Sequence, residues 1–181
     1  MTHLYYGEGK GKTTAALGLA VRAAGNGWRV IFVQFLKNAP AGEVSSLEKL
    51  GATVLRGKAG NHFFSQMTDA EKSATKAISD EHFARAVAMC AQNTTDGGAR
   101  ERGAQPTLLV LDEICAAYNH HLVSRAAVDD FLRAVPNALE LVLTGRNPPE
   151  HFFACADYVT EMKKIRHPYD TGTAARKGVE F

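Results

Sequence analysis

Tyr6-Gly7-Glu8-Gly9-Lys10-Gly11-Lys12-Thr13-Thr14 is the stretch on which the fold turns. It lies between a short apolar run at 4–6, which reads as a first strand, and a helical pattern over 13–24. Glycines at 7, 9 and 11 let the backbone curl so that successive N–H groups face an anion. The helix that follows adds unpaired N–H groups and the positive end of its dipole. Lys12 would then reach phosphate oxygens, and the Thr13 hydroxyl would ligate Mg²⁺. The match to G-x-x-x-x-G-K-[ST] is one residue short, because the position five before Gly11 is Tyr6. A glycine-rich turn alone can be a plain tight connection. Gly-Lys-Thr-Thr opening a helix directly after a strand favours a phosphate loop.

Working outward, Leu108-Leu109-Val110-Leu111-Asp112-Glu113 is the expected companion. An apolar strand ending in carboxylates puts them beside the metal and the phosphates. By itself such an acidic pair is a helix-capping loop; beside a phosphate loop the metal reading is favoured.

The remaining pattern alternates strands and helices. Arg29-Val30-Ile31-Phe32-Val33-Gln34-Phe35 is almost continuously apolar, as a strand buried on both faces must be. Further strands are expected at 53–55, 108–111, 139–143 and 158–162. Helices are expected at 43–50, 69–90 and 124–135, the second opened by a Thr68/Glu71 capping box. Gly25-Asn26-Gly27 stops the first helix, and a loop is expected at 94–105. Repeating β-α units of this kind imply an α/β fold, a mostly parallel sheet with helices on both faces, in one domain spanning 1–181.

The chain has 181 residues, 45% hydrophobic and 22% charged, with a formal charge of +2. So small a basic excess argues against a nucleic-acid partner, and the apolar content argues against disorder. Cys90, Cys115 and Cys155 are too far apart for a metal pair and read as buried thiols. No apolar stretch approaches the roughly 20 residues of a membrane span. The run from Met1 to Tyr6 passes straight into the loop and leaves no room for a signal peptide, so the expectation is a cytoplasmic location without membrane attachment.

The shortened loop, with its second lysine and Thr13-Thr14-Ala15-Ala16 after it, resembles the P-loop type ATP:corrinoid adenosyltransferases. The resemblance runs on through Arg22, Gly25 and Gly27 to Val33-Gln34-Phe35-Leu36-Lys37. It resumes at Leu111-Asp112-Glu113 and Leu143-Thr144-Gly145-Arg146. It ends in His167-Pro168-Tyr169-Asp170-x-Gly172 and Ala175-Arg176-Lys177-Gly178-Val179-Glu180-Phe181. Membership implies a three-layer P-loop NTPase-like (RecA-like) sheet, usually in a homodimer. It implies transfer of the 5′-deoxyadenosyl group of ATP to Co(I) of a corrinoid (cobalamin, cobinamide or cobyrinic acid a,c-diamide), with release of triphosphate. ATP would lie in the loop in reversed orientation. Lys10 and Lys12 would stabilise the leaving triphosphate as catalytic residues. Gly7, Glu8, Gly9, Gly11, Thr13, Thr14, Arg22 and Arg146 would bind substrate alongside them. Thr13, Asp112 and Glu113 would hold Mg²⁺, with Mn²⁺ as the alternative metal. A flavoprotein is the expected reductant.

One segment departs from the family. Where many members carry Gly-Phe-Thr-Trp, whose aromatics shield the lower face of cobalt, this chain has Gly60-Asn61-His62-Phe63-Phe64-Ser65-Gln66-Met67. Phe63 and Phe64 either wall off the corrin or are core aromatics closing a loop; His62 reads as a surface residue. His120-His121 lacks helical metal spacing and reads as solvated or capping. Trp28 reads as a packing or interface residue, and the segment 167–181 as ordered. Two other uses of the loop compete: a small-molecule kinase, whose lid arginines would be Arg100 and Arg102, and a RecA-like ATPase acting as a regulatory module.

Overall fold

A computed structural model describes residues 1–91 and 105–179. Most of the expected loop at 94–105, with Arg100 and Arg102, lies outside the described residues, as do Glu180 and Phe181. Six strands form one sheet: β1 (Thr2–Tyr6), β2 (Arg29–Phe35), β3 (Thr53–Gly57), β4 (Thr107–Asp112), β5 (Leu139–Gly145) and β6 (Tyr158–Glu161). Their order is β3-β2-β4-β5-β1-β6, and every pairing is parallel, where the sequence implied only a mostly parallel sheet.

Alternation along the strands explains why both faces must be covered. In β2, Ile31 and Val33 join one core with Leu109, Leu111, Leu141 and Leu143. Val30 and Phe32 join the other with Leu108, Val110 and Val142. The second core is closed by α1 (Lys12–Gly25) and α2 (Gly42–Lys49), through Ala16, Ala20, Ala23 and Leu47. The small residues of α1 let it lie close to the sheet. The first core is closed by α3 (Asp69–Ala91), α4 (Ile114–Asn119), α5 (Arg125–Arg133) and α6 (Glu150–Cys155). Helices α4 and α6, six residues each, were not expected from periodicity.

Local signals hold where they were strongest. The Thr68 N–H donates to Glu71 Oε2 at 2.8 Å, and the Glu71 N–H to Thr68 Oγ1 at 3.2 Å, closing the capping box of α3. Helix α1 ends at Gly25, and Gly27 supplies the left-handed residue at φ 75°. Trp28 is half-buried against the second core.

The parallel register carries several strand ends to one edge of the sheet. Tyr6 pairs with Gly145, and Gln34 with Asp112. Strand β5 is inserted between the loop strand β1 and the acidic strand β4. The crevice at such an edge is where an open α/β sheet binds its ligand. No helix among the described residues is long and apolar enough to cross a membrane.

Candidate functional site

The loop between β1 and α1 is pinned from below. The Gly9 N–H donates to the Met162 carbonyl just past β6, so it does not face an anion as the sequence reading had it. A Cβ on Gly9 would stand 2.5 Å from that carbonyl oxygen, which is why glycine is required there. Gly11 caps α1 at φ 118°, a conformation that side chains resist. Lys12 is buried, and its ammonium donates to the carbonyls of Gly7 and Gly9, both at 2.7 Å. Burial pulls its pKa below the usual lysine value, while Glu113, Glu8 and Asp112 oppose that shift.

Asp112, at the end of β4, is fully buried and organises the rest. Its Oδ1 accepts from the Thr13 hydroxyl at 2.8 Å and from the Thr144 hydroxyl at 2.7 Å. Its Oδ2 accepts from the Lys37 ammonium at 2.9 Å. Thr144 in turn accepts the Glu113 N–H at 2.9 Å. Glu113 itself sits at φ 62°, and burial, reinforced by the Asp112 charge, raises its carboxyl pKa. Gln34 donates to Glu43 at 3.1 Å, while its own Oε1 is buried without a hydrogen-bond partner.

This donor set fits a divalent ion of the phosphate-site kind. Among the described residues no cluster of three or more His, Cys, Asp or Glu forms a protein-only metal cage. Mg²⁺ in such sites needs only one or two protein oxygens, the rest coming from phosphate and water. Thr13 Oγ1 and the Asp112 carboxylate, 2.8 Å apart, are the oxygens that could supply those, and Glu113 lines the cavity beside them.

A cavity of about 550 Å³ opens over these groups, lined by Lys10, Lys12, Thr13, Lys37, Glu43 and Glu113. Its size is that of a small-molecule site. His167, Gly178 and Val179 line the same cavity, so the described part of the tail passes beside the phosphate loop. Arg146 reaches the loop from the end of β5 and pairs with Glu8 at 3.0 Å, both side chains exposed.

Not every expected residue arrives. Arg22 lies in the last turn of α1, about 15 Å along the helix from Lys12, and the fold does not bring it to the loop. Phe63 is 80% exposed and therefore not a core residue. Phe64, half-buried, opens a short 3₁₀ turn (Phe64–Gln66) and stacks on the His120 ring at 3.8 Å. His62 pairs with Glu71 at 2.9 Å on the surface. Conversely, Lys37, Gln34 and Thr144 belong to the site although sequence reasoning assigned them no role. The available signal was a polar residue near the C-terminal end of a largely apolar strand, Gln34 in β2 and Thr144 in β5; Lys37 lies just beyond β2.

Comparison with known proteins points the same way. Residues 1–181 match the family described as ATP:corrinoid adenosyltransferase BtuR/CobO/CobP. A corrinoid adenosyltransferase from Sinorhizobium sp is 34% identical over 177 residues, covering 97% of this chain and 77% of that protein. One from Pseudomonas aeruginosa is 32% identical over 98% of this chain and 82% of its own length. The corrinoid adenosyltransferase CobA of Salmonella typhimurium is 31% identical, over 98% and 84% respectively. A phosphate loop, a buried aspartate tied to its threonine and a match along the whole chain together show that this protein belongs to the ATP:corrinoid adenosyltransferase family, enzymes of ATP-dependent adenosyl transfer to a corrinoid.

Proposed function

We propose that this chain holds ATP by its triphosphate over Lys10–Thr14 and delivers the 5′-deoxyadenosyl group to Co(I) of a corrinoid. The observation that carries the reading is the gathering of three ammonium groups, Lys10, Lys12 and Lys37, with Thr13 around one cavity. In the reaction a Co–C5′ bond forms as the C5′–O bond breaks. The cobalt electron pair becomes the new bond, and the C–O pair leaves on triphosphate. Charge therefore grows on the oxygen losing carbon, and fixed cations are worth most at that point. Lys12 is held by the loop carbonyls and needs little reorganisation to meet it. Lys10 adds a second charge from the rim. The nucleophile carries no proton, so no side chain acts as general base.

Thr13, Asp112 and Glu113 would hold Mg²⁺ or Mn²⁺, which when bound supplies Lewis-acid neutralisation of phosphate charge. Arg146, paired with Glu8 at the flank of the loop, would turn its guanidinium to the phosphates. Phe63 would offer its exposed ring to the corrin face, and the next residue, Phe64, is held by the His120 stack. The proposal also includes one functional domain over 1–181, a cytoplasmic location, a homodimer and a flavoprotein reductant. The outer edge of β6, whose four residues are all exposed, supports the dimer, and light scattering tests it. For the loop itself the test is competition. Inorganic triphosphate should displace ATP at concentrations near those of ATP itself, while adenosine should not. Displacement by adenosine alone would contradict a triphosphate-anchored mode.

A further inference from the structure

Lys37 stands where a metal belongs. Its Nζ is 2.9 Å from Asp112 Oδ2 and 3.4 Å from Thr13 Oγ1, the two protein groups that suit a divalent ion at this loop. Two further observations show that the placement is built in. Leu36, immediately before it, takes a left-handed conformation at φ 61°, unusual for a branched side chain, and turns the chain back at the end of β2. Gln34, whose Nε2 lies 3.5 Å from Asp112 Oδ2, keeps a buried Oε1 with no hydrogen-bond partner. Such an orphaned acceptor is costly unless a cation or donor visits it.

We infer that Lys37 is a resident cation that fills the metal position of the nucleotide-free enzyme and exchanges against the metal when metal and ATP arrive together. The inference rests on the site reading above and adds a positioning role to it. An empty site would leave the buried Asp112 carboxylate without a counter-charge, and Lys37 supplies one. Two cations cannot both pair at contact distance with this one fully buried carboxylate without strong mutual repulsion. The metal therefore binds poorly by itself. When it comes with the triphosphate, the Lys37 ammonium has somewhere else to go. Its side chain is one-third exposed and already borders the cavity, so a rotamer change carries the charge from Asp112 onto phosphate oxygens. Metal and nucleotide binding are thereby coupled: each improves the other, by the same factor.

The test counts Mn²⁺ bound to nucleotide-free protein by electron paramagnetic resonance, with equal thermal midpoints used to match folded samples. Wild type should bind Mn²⁺ weakly, and Lys37→Arg, which keeps the charge, should do the same. Lys37→Met should bind it at least tenfold more tightly, and ATP should then improve Mn²⁺ affinity far less than in wild type. Equal nucleotide-free affinities for Lys37→Met and wild type would overturn the inference. The site reading would survive that result provided Mn²⁺ with ATP still bound to wild type and the binding was lost in Thr13→Ala. Loss of that Thr13 dependence would overturn both.

Discussion

Lys12 has two jobs that a single substitution removes together: it ties the Gly7 and Gly9 carbonyls, and it presents a cation to the cavity. Lys12→Ala should lower turnover about 10²–10³-fold, the usual effect of losing one preorganised electrostatic group. Near-normal kcat in that variant would remove Lys12 from the mechanism. Gly9→Ala acts through geometry alone. Its Cβ would meet backbone atoms, the Met162 oxygen and carbon at 2.5 and 2.8 Å, which cannot swing aside as a side-chain tip would. The loop must shift, so the KM for ATP should rise at least tenfold, read from initial rates. Thr13→Ala should move the metal concentration for half-maximal activity upward, and an unchanged titration would exclude Thr13 as a ligand. The loop was legible because Gly-Lys-Thr-Thr opens a helix directly after a strand, a local pattern; the turn of the Gly9 N–H towards Met162 was not, since it depends on where β6 ends. Lys37 and Thr144 were not, because their function exists only once β2, β4 and β5 stand side by side.

At the scale of elements, the turn carrying Phe63 and Phe64 separates packing from function. With Phe63 exposed, Phe63→Ala should change stability by no more than about 0.5 kcal/mol. Phe64→Ala loses the His120 stack and should cost about 0.5–1.5 kcal/mol. If the pair shields the lower face of cobalt, activity starting from Co(II) with a biological reductant should fall steeply in both variants. Activity from chemically prepared Co(I) should stay within a few-fold of wild type. Equal losses in the two assays would mean that the rings have no part in the reduction step. Helix α3 was readable end to end from its capping box and period. Helices α4 and α6 were not, since six residues hold too few turns for a period to show, and packing against the sheet decides them.

For the whole molecule, strands buried on both faces made the parallel sheet legible before any pairing was known; the position of β5 between β1 and β4 was not, since strand order is set by tertiary packing. The same burial governs two of the three thiols; Cys155, read from sequence as buried with the others, is only half-buried. Cys90 and Cys115 are pushed up to about 11 and about 12 by desolvation, and all three cysteines are unpaired. Above the ordinary thiol value the unfolded chain loses protons that the folded chain keeps. Stability should therefore fall as pH rises from about 9 to 11, by about 1.4 kcal/mol per pH unit for each such thiol. Urea unfolding at pH 8 and 10 should show a smaller loss in Cys115→Ala than in wild type, and an identical loss would reject this source of the alkaline decline. The proposed chemistry turns on the identity of the bond that ATP gives up. Incubation with ATP, Mg²⁺ and chemically reduced cobalamin, followed by product analysis, addresses it directly. Triphosphate and a light-sensitive Co–C bond should form in equal amounts; ADP or inorganic phosphate as the product, with the corrinoid unchanged, would overturn the adenosyl-transfer assignment.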